Sequence, residues 1–152
     1  MAITIDGSGT IAGISVGGIP DGVVDTDVLA NNAVTFGKIG TTEQGQLCKA
    51  WVNFDGTGTP TIRAAYNVSS ITDNGTGDYT VNFTTALTDA NYSISGAQGI
   101  TSAGASAGIF AVNRNGGTGN EAAPTTSGCR INTNTQAGNA VDVAYVNVAI
   151  FR

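Results

Sequence analysis

The side chains best able to do chemistry in this sequence are carboxylates, because the 152-residue chain contains no histidine. A Ser-His-Asp triad and the common zinc sites are therefore excluded. Paired carboxylates could still act as acid and base on a glycosidic bond. The acidic residues of the predicted loops all lie beside glycine, asparagine or alanine: Asp55, Asp73, Asp78, Asp89 and Glu121. Since aspartate in such contexts bonds the local backbone, we expect Asx-turns here rather than catalysis.

Metal and phosphate sites are weakly supported. The segment DNGTGD, residues 73–78, offers the oxygen ligands that calcium prefers, but it lacks the ligand spacing and closing glutamate of a calcium loop. The glycine-rich runs do not lead into a predicted helix, so they do not indicate a phosphate cradle. We therefore expect no catalytic residue, no metal and no cofactor, and the sequence favours a structural or binding protein over an enzyme.

Two cysteines, Cys48 and Cys129, begin separate predicted strands. A disulfide would need their Cα atoms to lie within about 7 Å across a sandwich. Two thiols without a secretion signal are more often small buried side chains, and the start MAITIDGSGT lacks the basic and apolar regions of a signal peptide. Both alternatives stay open at this point.

The charge balance argues against polyanionic partners. The net charge is −5, and the six basic residues are scattered singly. A phosphate backbone needs clustered lysine and arginine, and so does an anionic membrane surface. No apolar run approaches the roughly 20 residues of a membrane-spanning helix. We expect neither nucleic-acid binding nor membrane insertion.

The composition predicts an all-β fold. The chain has 22 glycines and only 11% charged residues, and it is rich in the threonine, valine and isoleucine that suit a pleated sheet. Alternation sets Tyr79, Val81 and Phe83 on one side of a strand, and Asn74-Gly75 is the strongest hairpin signal. About seven strands are predicted, at residues 49–54, 61–71, 78–84, 92–96, 108–114, 128–134 and 140–152. Their short length and spacing indicate an antiparallel β-sandwich over residues 46–152.

The last predicted strand, residues 140–152, is apolar on both faces. A strand of this kind is covered on both sides, whereas a small sandwich covers only one. We therefore predict that the second face contacts another subunit, and we place Val146 and Val148 in a trimer interface. The alternative is a central strand covered by a long loop.

Residues 1–45 differ from the rest because they contain a ten-residue repeat. DGVVDTDVLA, residues 21–30, matches NNAVTFGKIG, residues 31–40, in residue type. A unit of this length cannot bury its own apolar side, so it needs neighbouring units or other chains. We predict a thin homotrimeric stem in which four apolar side chains lie near the axis: Val24, Leu29, Val34 and Ile39. The alternative is a flexible linker with accidental similarity.

Recognition of a ligand is expected in exposed loops, at residues 55–60, 72–77 and, above all, 113–127. The last is the longest connection without strand character, and such loops on a rigid sandwich often bind partners. Its amide, guanidinium and carboxylate groups suit sugar hydroxyls, and the candidate receptor-contact residues are Asn113, Arg114, Asn115, Asn120 and Glu121. The alternative is a solvated loop that binds nothing.

Three stretches resemble bacteriophage fibre proteins, especially tail fibres of marine and freshwater phages. They are MAITIDGSGTIAGISVGG, the decamer repeats, and the block from KAWVNFDGTGTP through ITDNGTGDYTVNFTTALTDANYSISG. The resemblance covers roughly two thirds of the chain and is most specific in that block. It implies a homotrimer, localised in the virion and assembled in the host cytoplasm.

The same resemblance assigns the two parts of the chain different tasks. The N-terminal part would attach to other virion proteins of the baseplate, tail or capsid, and the β-domain would form a distal tip that contacts host cell-surface polysaccharide. This chain departs from long fibres in having almost no shaft. The alternatives are a head fibre or a capsid or baseplate decoration protein with a purely structural role, and a polysaccharide depolymerase spike, which should be a much longer chain.

Overall fold

The computed structural model describes residues 31, 33–99, 109–112 and 121–152, and the chain divides into two units, residues 1–40 and 41–152. In the first unit, a 3-10 helix spans Phe36–Lys38. The backbone N–H of Lys38 donates to the carbonyl of Thr35 at 2.9 Å, and its Nζ donates to the carbonyl of Ala33 at 2.8 Å.

The second unit is a β-domain preceded by one short helix, α1 (Thr41–Gly45), where the sequence predicts a polar junction. The described residues contain eight strands rather than the predicted seven. Their bounds are β1 Cys48–Asp55, β2 Thr61–Tyr66, β3 Val68–Gly75, β4 Asp78–Phe83, β5 Ser93–Gln98, β6 Ile109–Val112, β7 Gly128–Asn134 and β8 Val146–Phe151.

The strands form two four-stranded antiparallel sheets. Sheet I has the order β2-β1-β8-β5, and sheet II has the order β3-β4-β7-β6. Alternate side chains of both sheets meet in one core, where the Phe54 ring of sheet I contacts the Tyr79 ring of sheet II edge-on at 5.2 Å. Tyr79, Val81 and Phe83 all face this core, as their alternation predicts. The all-β, antiparallel prediction is confirmed.

The predicted strand at residues 61–71 is wrong as a single element. It breaks at Asn67, whose φ of 54° lies in the left-handed region that few non-glycine residues adopt. The Asn67 side chain holds this conformation: its Nδ2 lies 3.2 Å from the Lys49 carbonyl, and its Oδ1 accepts the Thr85 N–H at 2.8 Å. The chain therefore leaves sheet I after β2 and enters sheet II as β3.

The predicted hairpin exists, but its turn lies two residues further along. Gly75 pairs with Asp78, so the loop residues are Thr76 and Gly77 rather than Asn74 and Gly75. Gly77 has a φ of 63°, and a Cβ there would lie 2.7 Å from the backbone nitrogen of Val141. Glycine is required at residue 77 for both reasons.

The last strand is shorter than predicted, because only Val146–Phe151 form β8. Val146 and Val148 are 0% and 3% exposed in the single chain and face the core. Their assignment to a trimer interface is therefore wrong, because the core of the same chain already covers both side chains. Val143 also reaches the core, although it lies in the connection before the strand.

The sandwich has two ends, which hold different connections. At the near end α1 leads into β1, and this end also carries Asn67 and the segment before β7, where the Phe83 N–H donates to the Ser127 carbonyl at 2.8 Å. At the far end lie the β1–β2 loop, the β3–β4 turn and residues 135–145. These three are joined there because the Gly56 N–H donates to the Val143 carbonyl at 3.0 Å, and the Gly77 N–H donates to Asp142 Oδ1 at 2.7 Å.

Candidate binding surface

The predicted Asx-turns are confirmed at three aspartates. The Oδ1 atoms of Asp55, Asp73 and Asp89 accept backbone N–H groups two residues further on, at 2.9, 2.9 and 2.8 Å. Hydrogen bonds from Thr57, and then the nearby Arg63 guanidinium, hold the pKa of the Asp55 carboxyl below its usual value. These carboxylates are engaged in organising loops.

Arginine pairs with three of the described aspartates. Asp55 lies 2.7 Å from Arg63, and Asp89 pairs with Arg152. Asp78 is almost fully buried and receives two hydrogen bonds from Arg130, at 2.7 and 2.8 Å. Among the residues the structure describes, no cluster of three or more acidic, histidine or cysteine side chains is placed to hold a metal ion.

The two cysteines are free thiols in the described structure. Cys48 is partly exposed on β1 of sheet I, whereas Cys129 is buried on β7 of sheet II. Burial raises the pKa of the Cys129 thiol to about 12. Cys129 is therefore a small buried side chain, the second of the two alternatives that the sequence leaves open.

The described parts of the three predicted recognition loops do not share one surface. Residues 55–60 and 72–77 approach each other at the far end, whereas residues 121–127 lie at the near end, where the Leu87 N–H donates to the Thr126 carbonyl at 2.8 Å. Of the candidate receptor-contact residues, Glu121 is exposed. The other four lie outside the described residues: Asn113, Arg114, Asn115 and Asn120.

Two of the four predicted stem residues are described. Val34 is exposed, and Ile39 is partly buried. Val24 and Leu29 lie outside the described residues. The stem and its homotrimer stay predictions.

The outer face of sheet I carries four exposed aromatic side chains, and we call it the aromatic face. Trp51 and Phe151 are 40% and 38% exposed, and Tyr66 and Tyr145 are 58% and 59% exposed. Trp51 and Phe151 lie on this face because their neighbours Val52 and Ile150 face the core. Tyr66 lies opposite Trp51 in the register of β1 and β2, and Tyr145 is in the connection before β8, against Arg63 of β2.

Strand register aligns the middle of the aromatic face into two rows. From the β2 edge to the β5 edge, the rows are Tyr66, Trp51, Ala149 and Ser95, followed by Ala64, Asn53, Asn147 and Ala97. The small side chains of β8 and β5 lie beside the large ring on β1, and they leave an open groove of about 400 Å³. Its lining residues are all uncharged: Trp51, Val52, Asn53, Ser95, Gly96, Ala97, Asn147, Val148 and Ala149.

Two amides lie at the centre of this groove. Asn53 Nδ2 donates to Asn147 Oδ1 at 2.6 Å, and the pair is exposed. This bond uses one donor and one acceptor, so the pair keeps further N–H groups and a carbonyl for a ligand, whichever way the amides are oriented.

The far-end rim of the aromatic face is fixed by Arg63. Its guanidinium lies 4.5 Å from the centre of the Tyr145 ring and 2.7 Å from Asp55. It also donates to the Ala144 carbonyl. Arg63 therefore links the β1–β2 hairpin to the connection before β8, and its charge is balanced at the rim rather than in the groove.

The outer face of sheet II is different in character, and we call it the polar face. Asn82 Nδ2 lies 3.1 Å from Ser70 Oγ and 2.9 Å from Thr72 Oγ1. Asn74 donates to Thr80 Oγ1 at 2.9 Å. These side chains satisfy one another, so the polar face has the composition of an ordinary solvated surface.

Neither the aromatic face nor its groove is predicted from the sequence. One signal was present: in KAWVNF the only tryptophan alternates with Lys49 and Asn53 rather than with Ala50, Val52 and Phe54. That spacing puts a large ring on the polar side of a strand. The pairing of Asn53 with Asn147 joins residues 94 positions apart, and local pattern does not specify it.

The described part of the chain holds no helix long and apolar enough to cross a membrane. Comparison of the chain with protein-family models, curated protein sequences and solved structures found no match.

Proposed function

We propose that this chain is a short phage tail fibre: a structural virion component that assembles as a homotrimer through residues 1–45 and presents its β-sandwich for recognition of the host surface. The main support for this proposal is the contrast between the two outer faces of the sandwich. The side chains of the polar face hydrogen-bond one another, whereas the aromatic face exposes four rings, and one of them, Trp51, lines an uncharged groove. Clustered exposed aromatics are typical of a surface that binds something.

The architecture supports this function because it makes a rigid platform. Each sheet has four strands, and twelve buried apolar side chains fill the space between the sheets. The loops at both ends are fastened by side-chain bonds, such as those of Asn67 and Asp142. A binding surface on strands of this kind is held in place without a ligand.

The N-terminal repeat supports self-association. Val34 is a large apolar side chain that is 56% exposed in the single chain, at a position the repeat shares with Val24. Three parallel copies would bring such side chains together along one axis. The homotrimer would also raise weak contacts of each sandwich to a useful avidity.

A head fibre, or a capsid or baseplate decoration protein, is the second candidate, and the observation that favours it is that the ten-residue unit occurs only twice in this sequence. The two candidates differ in the place of the chain on the particle. Gold-labelled antibody against residues 41–152, viewed on intact phage particles by electron microscopy, separates them. Tail-tip labelling supports the tail fibre, label on the head supports decoration, and absence of the chain from purified particles contradicts both.

A further inference from the structure

We propose that the groove of the aromatic face binds a neutral saccharide, with one sugar ring stacked against Trp51 and its hydroxyl groups bonded to Asn53 and Asn147. This inference rests on the proposed function and deepens it, because it assigns the recognition surface and the class of ligand. It also moves recognition from residues 113–121 to the outer face of sheet I.

The lining of the groove offers partners for both the faces and the edges of a sugar ring. A pyranose presents C–H groups on its faces and hydroxyls at its edges. The exposed indole of Trp51 supplies an apolar plate for the C–H groups. The Asn53–Asn147 pair supplies N–H donors and a carbonyl acceptor, and Ser95 adds a hydroxyl in the neighbouring row. A sugar hydroxyl both donates and accepts, so it can use all of these groups.

The absence of charge in the lining selects among saccharides. None of the nine lining residues is acidic or basic. Of the charged side chains on the same face, Arg63 is paired with Asp55, and Lys49 donates to the Gln44 carbonyl. A carboxylated or sulfated sugar would lose water without gaining a counter-charge. The groove therefore fits an uncharged hexose chain better than an acidic one.

The size of the face favours a small ligand over a protein. Four strands spaced 4.7–4.9 Å apart, with about three outward residues in each six-residue strand, cover about 400 Å². A stable protein interface covers about 800 Å² per partner. A second copy seated on this face would be held by about half of the usual area, whereas an oligosaccharide would use most of it. We therefore assign the second face of β8 to a ligand rather than to another subunit.

Intrinsic tryptophan fluorescence can detect binding at this site, because Trp51 is the only tryptophan in the chain. Full-length protein is titrated with maltohexaose, cellohexaose, mannohexaose and chitohexaose, and with oligogalacturonate as the charged comparison, while tryptophan emission is recorded. We expect a saturable change in emission with at least one of the four neutral saccharides and a weaker response to oligogalacturonate. No saturable change with any of the four overturns the proposal.

Two matched variants test the position of the site. Ala97 and Ala64 are exposed alanines in the same row, on the two edge strands of sheet I, and only Ala97 lines the groove. Ala97→Tyr fills the groove and should abolish the response, whereas Ala64→Tyr should retain it within about twofold. Trp51→Ala, followed by calorimetry, should weaken binding about thirtyfold, as the loss of an aromatic hot spot does. Equal binding by Ala97→Tyr and the wild-type chain overturns the proposal.

A second copy of the chain is the competing occupant, and light scattering detects it. If Ala97→Tyr lowers the mass of the purified protein in solution while Ala64→Tyr does not, the face is a subunit contact and the saccharide proposal is wrong. If the proposed fibre function is wrong, the result is different. The gold-labelled antibody then detects no chain on phage particles, while the saccharides still change the tryptophan emission. A labelled particle without a saccharide response contradicts the inference alone.

Discussion

The hydroxyl of Tyr79 lies 2.8 Å from Oδ1 of Asp142 and 2.8 Å from the carbonyl of Gly56. Burial raises the pKa of this hydroxyl, and Asp142 raises it further, so the group stays a donor. Tyr79 belongs to sheet II, whereas Gly56 follows the last residue of β1 in sheet I. One buried side chain therefore fastens three separate connections of the far end.

Tyr79→Phe should destabilise the sandwich by about 1.5–3 kcal/mol, since it removes a hydrogen bond to a carboxylate from a fully buried site. Tyr92→Phe is the matched control, because its hydroxyl bonds no carboxylate: its partners are the carbonyls of Thr125 and Gly128, at 3.0 and 2.8 Å, and the Cys129 thiol. It should cost about 0.5–1.5 kcal/mol. Urea unfolding of both variants measures the difference, and an equal or larger loss for Tyr92→Phe would contradict the role of the far-end bond.

Asn67 should tolerate neither alanine nor glycine, but alanine should be worse. Both substitutions lose the side-chain bonds to Lys49 and Thr85. Glycine adopts the φ of 54° without strain, whereas alanine retains a strain of about 1 kcal/mol. Urea midpoints should therefore rank wild type above Asn67→Gly and Asn67→Gly above Asn67→Ala. An alanine variant as stable as the glycine variant would show that the left-handed conformation is not maintained.

The Asp89–Arg152 pair should make part of the stability depend on pH. Hydrogen bonds from Arg152 and the Asn91 backbone lower the pKa of Asp89 to about 2. An unfolded aspartate has a pKa of about 3.9. Because the folded value is the lower one, this contribution is complete above about pH 4 and is lost as the pH falls through about 2.

Asp89→Asn should accordingly flatten the decline in stability between about pH 4 and pH 2, measured by urea unfolding at each pH. The pair is exposed, so the effect should be small and should shrink in 1 M salt, where the Debye length is about 3 Å. A variant with the wild-type pH profile at low salt would contradict the assignment.

Cys48 and Cys129 should differ in reactivity. The pKa of Cys129 is raised to about 12 by burial, so almost none of it is thiolate at pH 8. Iodoacetamide at pH 8 should modify the folded chain at Cys48 alone, and Cys129 should react only after unfolding. Peptide masses identify the modified residue, and labelling of Cys129 at the rate of Cys48 would show that the core is open there.

The sequence predicts the fold class because alternate residues are buried in the central strands β1, β4 and β8, which gives their apolar residues a period of two. Tyr79, Val81 and Phe83 reveal their inward face in this way, and so do Ala50, Val52 and Phe54. Local pattern fails where side chains from distant segments decide the outcome. The break at Asn67 depends on partners at Lys49 and Thr85, which no window of neighbouring residues contains.

The candidate site was harder to predict than the fold, for a related reason. The groove is formed from β1, β8 and β5, which pair across long stretches of sequence. The apolar pattern of Val146 and Val148 is the same whether they face a core or a subunit, and only their contacts across the sandwich decide. The observed strand is only Val146–Phe151, and its outer residues are Asn147, Ala149 and Phe151, so the register was needed to choose between its two faces.

The central claim is that the chain is a fibre subunit, in which residues 1–45 join several copies of a sandwich that folds alone. Light scattering of the purified full-length protein at micromolar concentration tests it most directly. We predict a mass of three times the 15.2 kDa of one chain, and a folded monomer once residues 1–45 are removed. A full-length chain that scatters as a single 15.2 kDa monomer would contradict the account.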